Sequence, residues 1–128
     1  MENRAEAIKW LTEHGYFAFA RDWAVGKSIG VAKRTVLDDR SGLEVFEPTL
    51  VYIFPDLEGG WLLQPPLIPS KEIPFKTLDD AVSRAVEIVD GWEFAYSFTP
   101  GDWGPLCKLC GVPFKAPTPN ADSRSESS

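Results

Sequence analysis

The hydrophobic period of this chain changes three times: near 3.6 residues up to Gly15, near two residues through a series of short aromatic and β-branched runs, 3.6 again from Thr77, and two once more after Gly91. Helical periodicity buries one stripe of a cylinder and a period of two buries one face of a sheet, so the pattern predicts helices packed on strands. The expected fold class is α+β: an antiparallel sheet of four to five strands flanked by an N-terminal helix and a second helix at about 77–90. At 128 residues the chain is the size of one domain, assigned here to 1–114. From Lys115 onward it is rich in Pro, Ser and Asn with no aliphatic residue larger than alanine, so 115–128 is expected to be a disordered tail.

The first helix is expected over 2–14. Asn3 is an N-cap candidate with Glu6 three residues on, and Gly15 suits the left-handed position after the last turn. Ala7, Ile8, Trp10 and Leu11 form its apolar stripe. Strands are expected over 16–21, with Phe17 and Phe19 on one face, then over 28–37 and 43–54, the last two joined by the polar turn at 38–42. Pro48 lacks an N–H and should sit at an edge or bulge of its strand. Residues 50–54 are apolar on both faces, as in a strand covered on both sides or covered on one by a partner. A fourth strand is expected at 61–64. The stretch through Pro65, Pro66, Pro69 and Pro74 then crosses the sheet rather than extending it.

Thr77 is the N-cap candidate of the second helix, with Asp79 and Asp80 in the first turn and Gly91 as its stop. Trp92, Phe94, Tyr96 and Phe98 alternate with smaller or polar residues and predict a further strand. The expected core is Leu11, Phe19, Val31, Val51, Ile53, Val82, Ala85 and Val89.

Catalytic signatures are sparse. The single histidine, His14, falls at a helix C-terminus, where capping accounts for it. There is no P-loop, no dinucleotide-binding glycine pattern and no nucleophile elbow. Asp38–Asp39 and Asp79–Asp80 have local explanations in a turn and in a helix's first turn.

Cys107-Lys108-Leu109-Cys110-Gly111 is the sharpest local motif. Two cysteines at this spacing can hold one Zn²⁺, and the five residues resemble a knuckle of the zinc ribbons. Half of a four-ligand site is present, so zinc would need a second copy of the chain, making a homodimer, or His14 with a carboxylate. The alternatives are two reduced thiols in a turn and a redox pair. The latter should open a helix after a strand, and Gly104-Pro105 precede this one.

Charge supplies the functional lead. The formal net charge is −6, with a pI near 4.7, which disfavours a nucleic-acid partner. No apolar run reaches the ~20 residues of a membrane helix and no signal segment opens the chain, so the expected compartment is the cytoplasm, with no membrane partner. Residues 35–64 carry Arg40 against Asp38, Asp39, Glu44, Glu47, Asp56 and Glu58. Those six acids, with the turn-flanking Trp23 and Trp61 as aromatic anchors, form the candidate surface for a basic protein partner. The alternative is a solvated acidic face that serves solubility.

The run Trp61-Leu62-Leu63-Gln64-Pro65, leading into Phe75-Lys76-Thr77-Leu78-Asp79-Asp80-Ala81-Val82, resembles in layout the small cytoplasmic immunity proteins of bacterial polymorphic toxin and contact-dependent inhibition systems, over residues 5–90. The resemblance implies an acidic single-domain protein that blocks one cognate toxin and performs no catalysis. The cysteine motif and the aromatic run after Gly91 have no place in it. Two further readings stand beside it: an interaction module of phage or housekeeping origin with a dimer-bridging zinc knuckle, and a small metal-dependent enzyme.

Overall fold

The computed structural model describes residues 1–23, 26–66, 71–98 and 104–111. Helix α1 (Arg4–Glu13) begins where the sequence places it. Asn3 accepts a hydrogen bond from the Glu6 N–H at 2.9 Å, while the Glu6 carboxylate reaches back to the Glu2 N–H at 2.7 Å. His14 caps the other end and Gly15 takes φ +88°. Five strands follow in an antiparallel sheet of order β1-β2-β5-β6-β7, namely β1 (Phe17–Trp23), β2 (Gly26–Ala32), β5 (Val51–Pro55), β6 (Trp61–Gln64) and β7 (Ile73–Phe75). Strands β3 (Arg34–Leu37) and β4 (Glu44–Glu47) make a separate two-stranded sheet. Helices α2 (Leu78–Phe98) and α3 (Gly104–Cys110) complete the α+β fold.

Register explains the core. Ile29 pairs with Ile53, Ile53 with Leu63 and Leu63 with Ile73, so one apolar row crosses four strands on a single face. Val31 opposite Val51 adds to the same face. Ala7 and Leu11 of α1, Ala81, Val82, Ala85, Ile88 and Val89 of α2, and Leu106 and Cys110 of α3 join these strand residues in one buried cluster. No described helix is long and apolar enough to cross a membrane.

Several expectations are corrected. The strand expected over 28–37 is two strands divided at Lys33, and that over 43–54 is divided at 48–50. Arg34 pairs with Glu47 and Val31 with Val51, so Ala32 and Lys33 face three residues, Pro48, Thr49 and Leu50. One surplus residue is a bulge in effect, and it bends the hairpin where Pro48 has no N–H to give. Phe19 is not in the helix-covered core. It shares the outer face of β1 with Phe17, as the alternation requires, and its ring lies over Gly30.

The proline-punctuated stretch does extend the sheet. Ile73–Phe75 pairs antiparallel with Trp61–Leu63, and Pro74 is tolerated because β7 is an edge strand. The second helix does not stop near 90. Gly91 lies inside α2, where a Cβ would come within 2.7 Å of Leu109 Cδ1, so the glycine admits α3 rather than ending a helix. The strand expected after it is the last two turns of α2, and Trp92 packs against the core as a continuation of the stripe through Ala85, Ile88 and Val89. The cysteines stand on a helix rather than in a turn, and Gly111 at φ +72° ends it. The expected tail lies outside the described residues.

Candidate functional site

Beyond the bend, β3 and β4 form an arm that leans over the outer face of the sheet. Phe46 stacks on Phe19 with ring centroids 5.2 Å apart and planes 18° apart, and meets Phe17 at 5.8 Å. Phe19 meets Tyr52 edge to face at 6.2 Å, and the Tyr52 hydroxyl accepts a 2.8 Å hydrogen bond from Arg21. The absent side chain at Gly30 makes room for this aromatic cluster, which fixes the base of the arm on the face the helices leave open.

The turn at the arm's end is held by Asp38. Its carboxylate accepts from the Ser41 hydroxyl at 2.7 Å and the Ser41 N–H at 3.0 Å, and its backbone carbonyl accepts from Gly42 N–H at 2.8 Å. Hydrogen bonds from the Ser41 side chain and backbone hold the Asp38 carboxyl below its ordinary range. Leu37 and Leu43 beside this turn are about two-thirds exposed, at 65% and 66%, and Val45 is 40% exposed. Asp39 and Glu44 are exposed among them. The tip therefore presents exposed aliphatic side chains beside Asp39 and Glu44, with Arg40 also exposed in the turn.

The acidic residues singled out from the sequence divide into groups. Asp38, Asp39 and Glu44 share the arm tip, and Glu47 sits at its base opposite Arg34. Asp56 and Glu58 occupy the β5–β6 turn at the far end of the run 44–55, where Asp56 accepts from the Glu58 N–H at 3.1 Å. That turn carries a fully exposed Leu57. Trp61 opens β6 opposite Pro55 and packs against the core, half-buried. Trp23 ends β1 opposite Gly26, and its side chain lies outside the described part.

Sequence reasoning found the acids but missed Leu37, Leu43, Val45 and Leu57. The available signal was a leucine beside or inside turn-forming residues, in Gly42-Leu43 and Asp56-Leu57-Glu58, where a short turn gives it nothing to pack on.

Cys107 and Cys110 lie three residues apart on α3, Cys107 half-buried and Cys110 within the apolar core. Burial first, and the neighbouring Cys107 second, push the Cys110 thiol up to about 11, against a partial opposing effect of Arg84. Among the described residues no three His, Cys, Asp or Glu side chains are grouped to hold a metal ion. His14 lies at the C-terminus of α1 with its ring stacked on Trp10 at 3.9 Å, and its Nδ1 is 2.7 Å from the Trp10 carbonyl oxygen. Compared with family models, curated proteins and solved structures, the chain matches none.

Proposed function

We propose that this chain is a non-catalytic binding protein that neutralises a basic toxin domain, with the β3–β4 arm as its principal contact. The observation that carries this reading is the arm tip, where Leu37 and Leu43 remain about two-thirds exposed beside Asp39 and Glu44. Burying a leucine side chain completely yields roughly 1.5–3 kcal/mol, so aliphatic groups left in water on a projecting hairpin are a reserve of binding energy. The Asp39 and Glu44 carboxylates beside them speed encounter with a basic surface and repel acidic ones, a second copy of this tip included. The toxin as partner rests on the resemblance to immunity proteins.

The experiment is co-expression with the basic C-terminal domain of a toxin encoded beside this chain, with cell survival and co-purification as readouts. Protection by the wild-type chain, lost in Leu37→Ser/Leu43→Ser while the thermal midpoint is kept, is the expected result. Survival that does not depend on the chain would remove the reading.

A further inference from the structure

The arm leaves the body of the protein at one residue on the β2 side. Lys33 alone separates Ala32, the end of β2, from Arg34, the start of β3, and its backbone N–H bonds the Glu47 carbonyl at 2.9 Å across the bend. Its side chain does not follow the arm. Lys33 Nζ donates to Asp90 Oδ1 of α2 at 2.6 Å and stands 5.5 Å from the centre of the Tyr16 ring. Tyr16 donates its hydroxyl to the other oxygen, Asp90 Oδ2, at 2.6 Å, and its own N–H is bonded to the Leu11 carbonyl at the end of α1. One carboxylate thus joins the segment after α1, the bend of the hairpin and α2.

We propose that Asp90, through Lys33, is a latch that sets the angle of the arm to the sheet and keeps it ready for its partner. This deepens the binding role assigned to the arm and rests on it. The ion pair is partly exposed, with 45% of the Lys33 and 41% of the Asp90 side chain accessible, and such a pair adds little to global stability. Its effect is local because of where it acts. Among the described residues the strand ladder through the bend, the Phe46 stack and this carboxylate resist rotation of the arm, and local opening can cost far less than global unfolding. An arm already held at its docking angle has less freedom to lose on binding, so the latch raises affinity without touching the partner. Asp90 is a positioning residue in this scheme.

The test is residue-resolved amide hydrogen exchange, with ring-to-ring nuclear Overhauser effects, on the free full-length protein. In Asp90→Asn and in Lys33→Met, amides of β3 and β4 should exchange about two- to fivefold faster while those of β5 and α2 keep their rates. The Phe46–Phe19 cross-peaks should weaken in both. The exchanged pair Lys33→Asp/Asp90→Lys should restore the slow exchange of the arm. Unchanged arm exchange in both single variants overturns the proposal, as does acceleration spread equally over β5 and α2, or a swapped pair as fast as the single variants. No partner is present in this experiment, so its outcome is separable from that of the toxin co-expression.

Discussion

At the scale of single residues, the outer face depends on an absent side chain. A Cβ at Gly30 would meet the Phe19 ring at 2.3–2.9 Å, and that ring is already stacked on Phe46. Overpacking of this kind costs about 1–3 kcal/mol, so Gly30→Ala should lower the denaturation midpoint accordingly. Adding Phe19→Leu should recover part of the loss, and equal losses in the single and double variants would show that the ring is not the obstacle. Tyr16 and Asp90 supply a prediction in pH. Burial and then the hydrogen bond to Asp90 push the Tyr16 hydroxyl up to about 12 from 10. A group raised in the folded state gives stability that is complete below pH 10 and lost as pH climbs from 10 to 12. Burial pushes the Asp90 carboxyl up, but hydrogen bonds from Lys33 and Tyr16 outweigh it and hold the group below its ordinary value of 3.8. That contribution is present above pH 4 and is lost as pH falls through the lowered value. Tyr16→Phe should therefore flatten the alkaline fall in stability between pH 10 and 12, measured by urea unfolding. An unchanged alkaline limb would show that Tyr16 does not cause it.

Among the elements, α2 shows why part of the fold was readable and part was not. Its start is written locally: Thr77 Oγ1 accepts from the Asp80 N–H at 3.1 Å, as Thr77 with Asp79 and Asp80 predicts. Its end is not local, because Gly91 reads equally well as a stop or as a site of close approach. Only Leu109 of a helix that follows decides between them. The alternation of Trp92, Phe94, Tyr96 and Phe98 pointed to a strand, whereas Trp92 also falls on the 3.6-residue stripe, and burial against the core favours the helix. The bend at Lys33 was hidden for a related reason, since a surplus residue appears only once both strands are in register. The same holds for the site. Its carboxylates were legible as charge, while Leu37 and Leu43 look like core until the tertiary structure leaves them outside. Replacing glycine by alanine within a helix gains about 1 kcal/mol, and here the new methyl group must displace Leu109. Gly91→Ala should stabilise a Leu109→Ala background by about that amount and give little or nothing in the wild type, as read by thermal melts. Equal effects in the two backgrounds would remove Leu109 from the account.

Across the whole molecule, the −6 net charge is unevenly used, and only part of it can serve a partner. Asp38 is committed to its turn through Ser41 and Asp90 to Lys33 and Tyr16, while Glu47 stands at the base of the arm in register with Arg34. Asp56 and Glu58 stand at the far end of the run from the arm tip. Reversing all the acids of 35–64 together would mix loss of binding with loss of the turn, so the informative variant is Asp39→Lys/Glu44→Lys with Asp38 kept. Exposed charges act chiefly on the rate of encounter and are screened over about 10 Å at 0.1 M salt. Desolvated aliphatic groups act chiefly on the lifetime of the complex. The double charge variant should therefore associate with a basic toxin domain at least about tenfold more slowly at low ionic strength, with the difference shrinking toward 1 M salt and the dissociation rate nearly unchanged. Leu37→Ser/Leu43→Ser should do the reverse, leaving association close to wild type and shortening the lifetime of the complex. Stopped-flow association and surface-plasmon dissociation separate the two, and an association rate insensitive to both charge reversal and salt would place the contact on another face of the molecule.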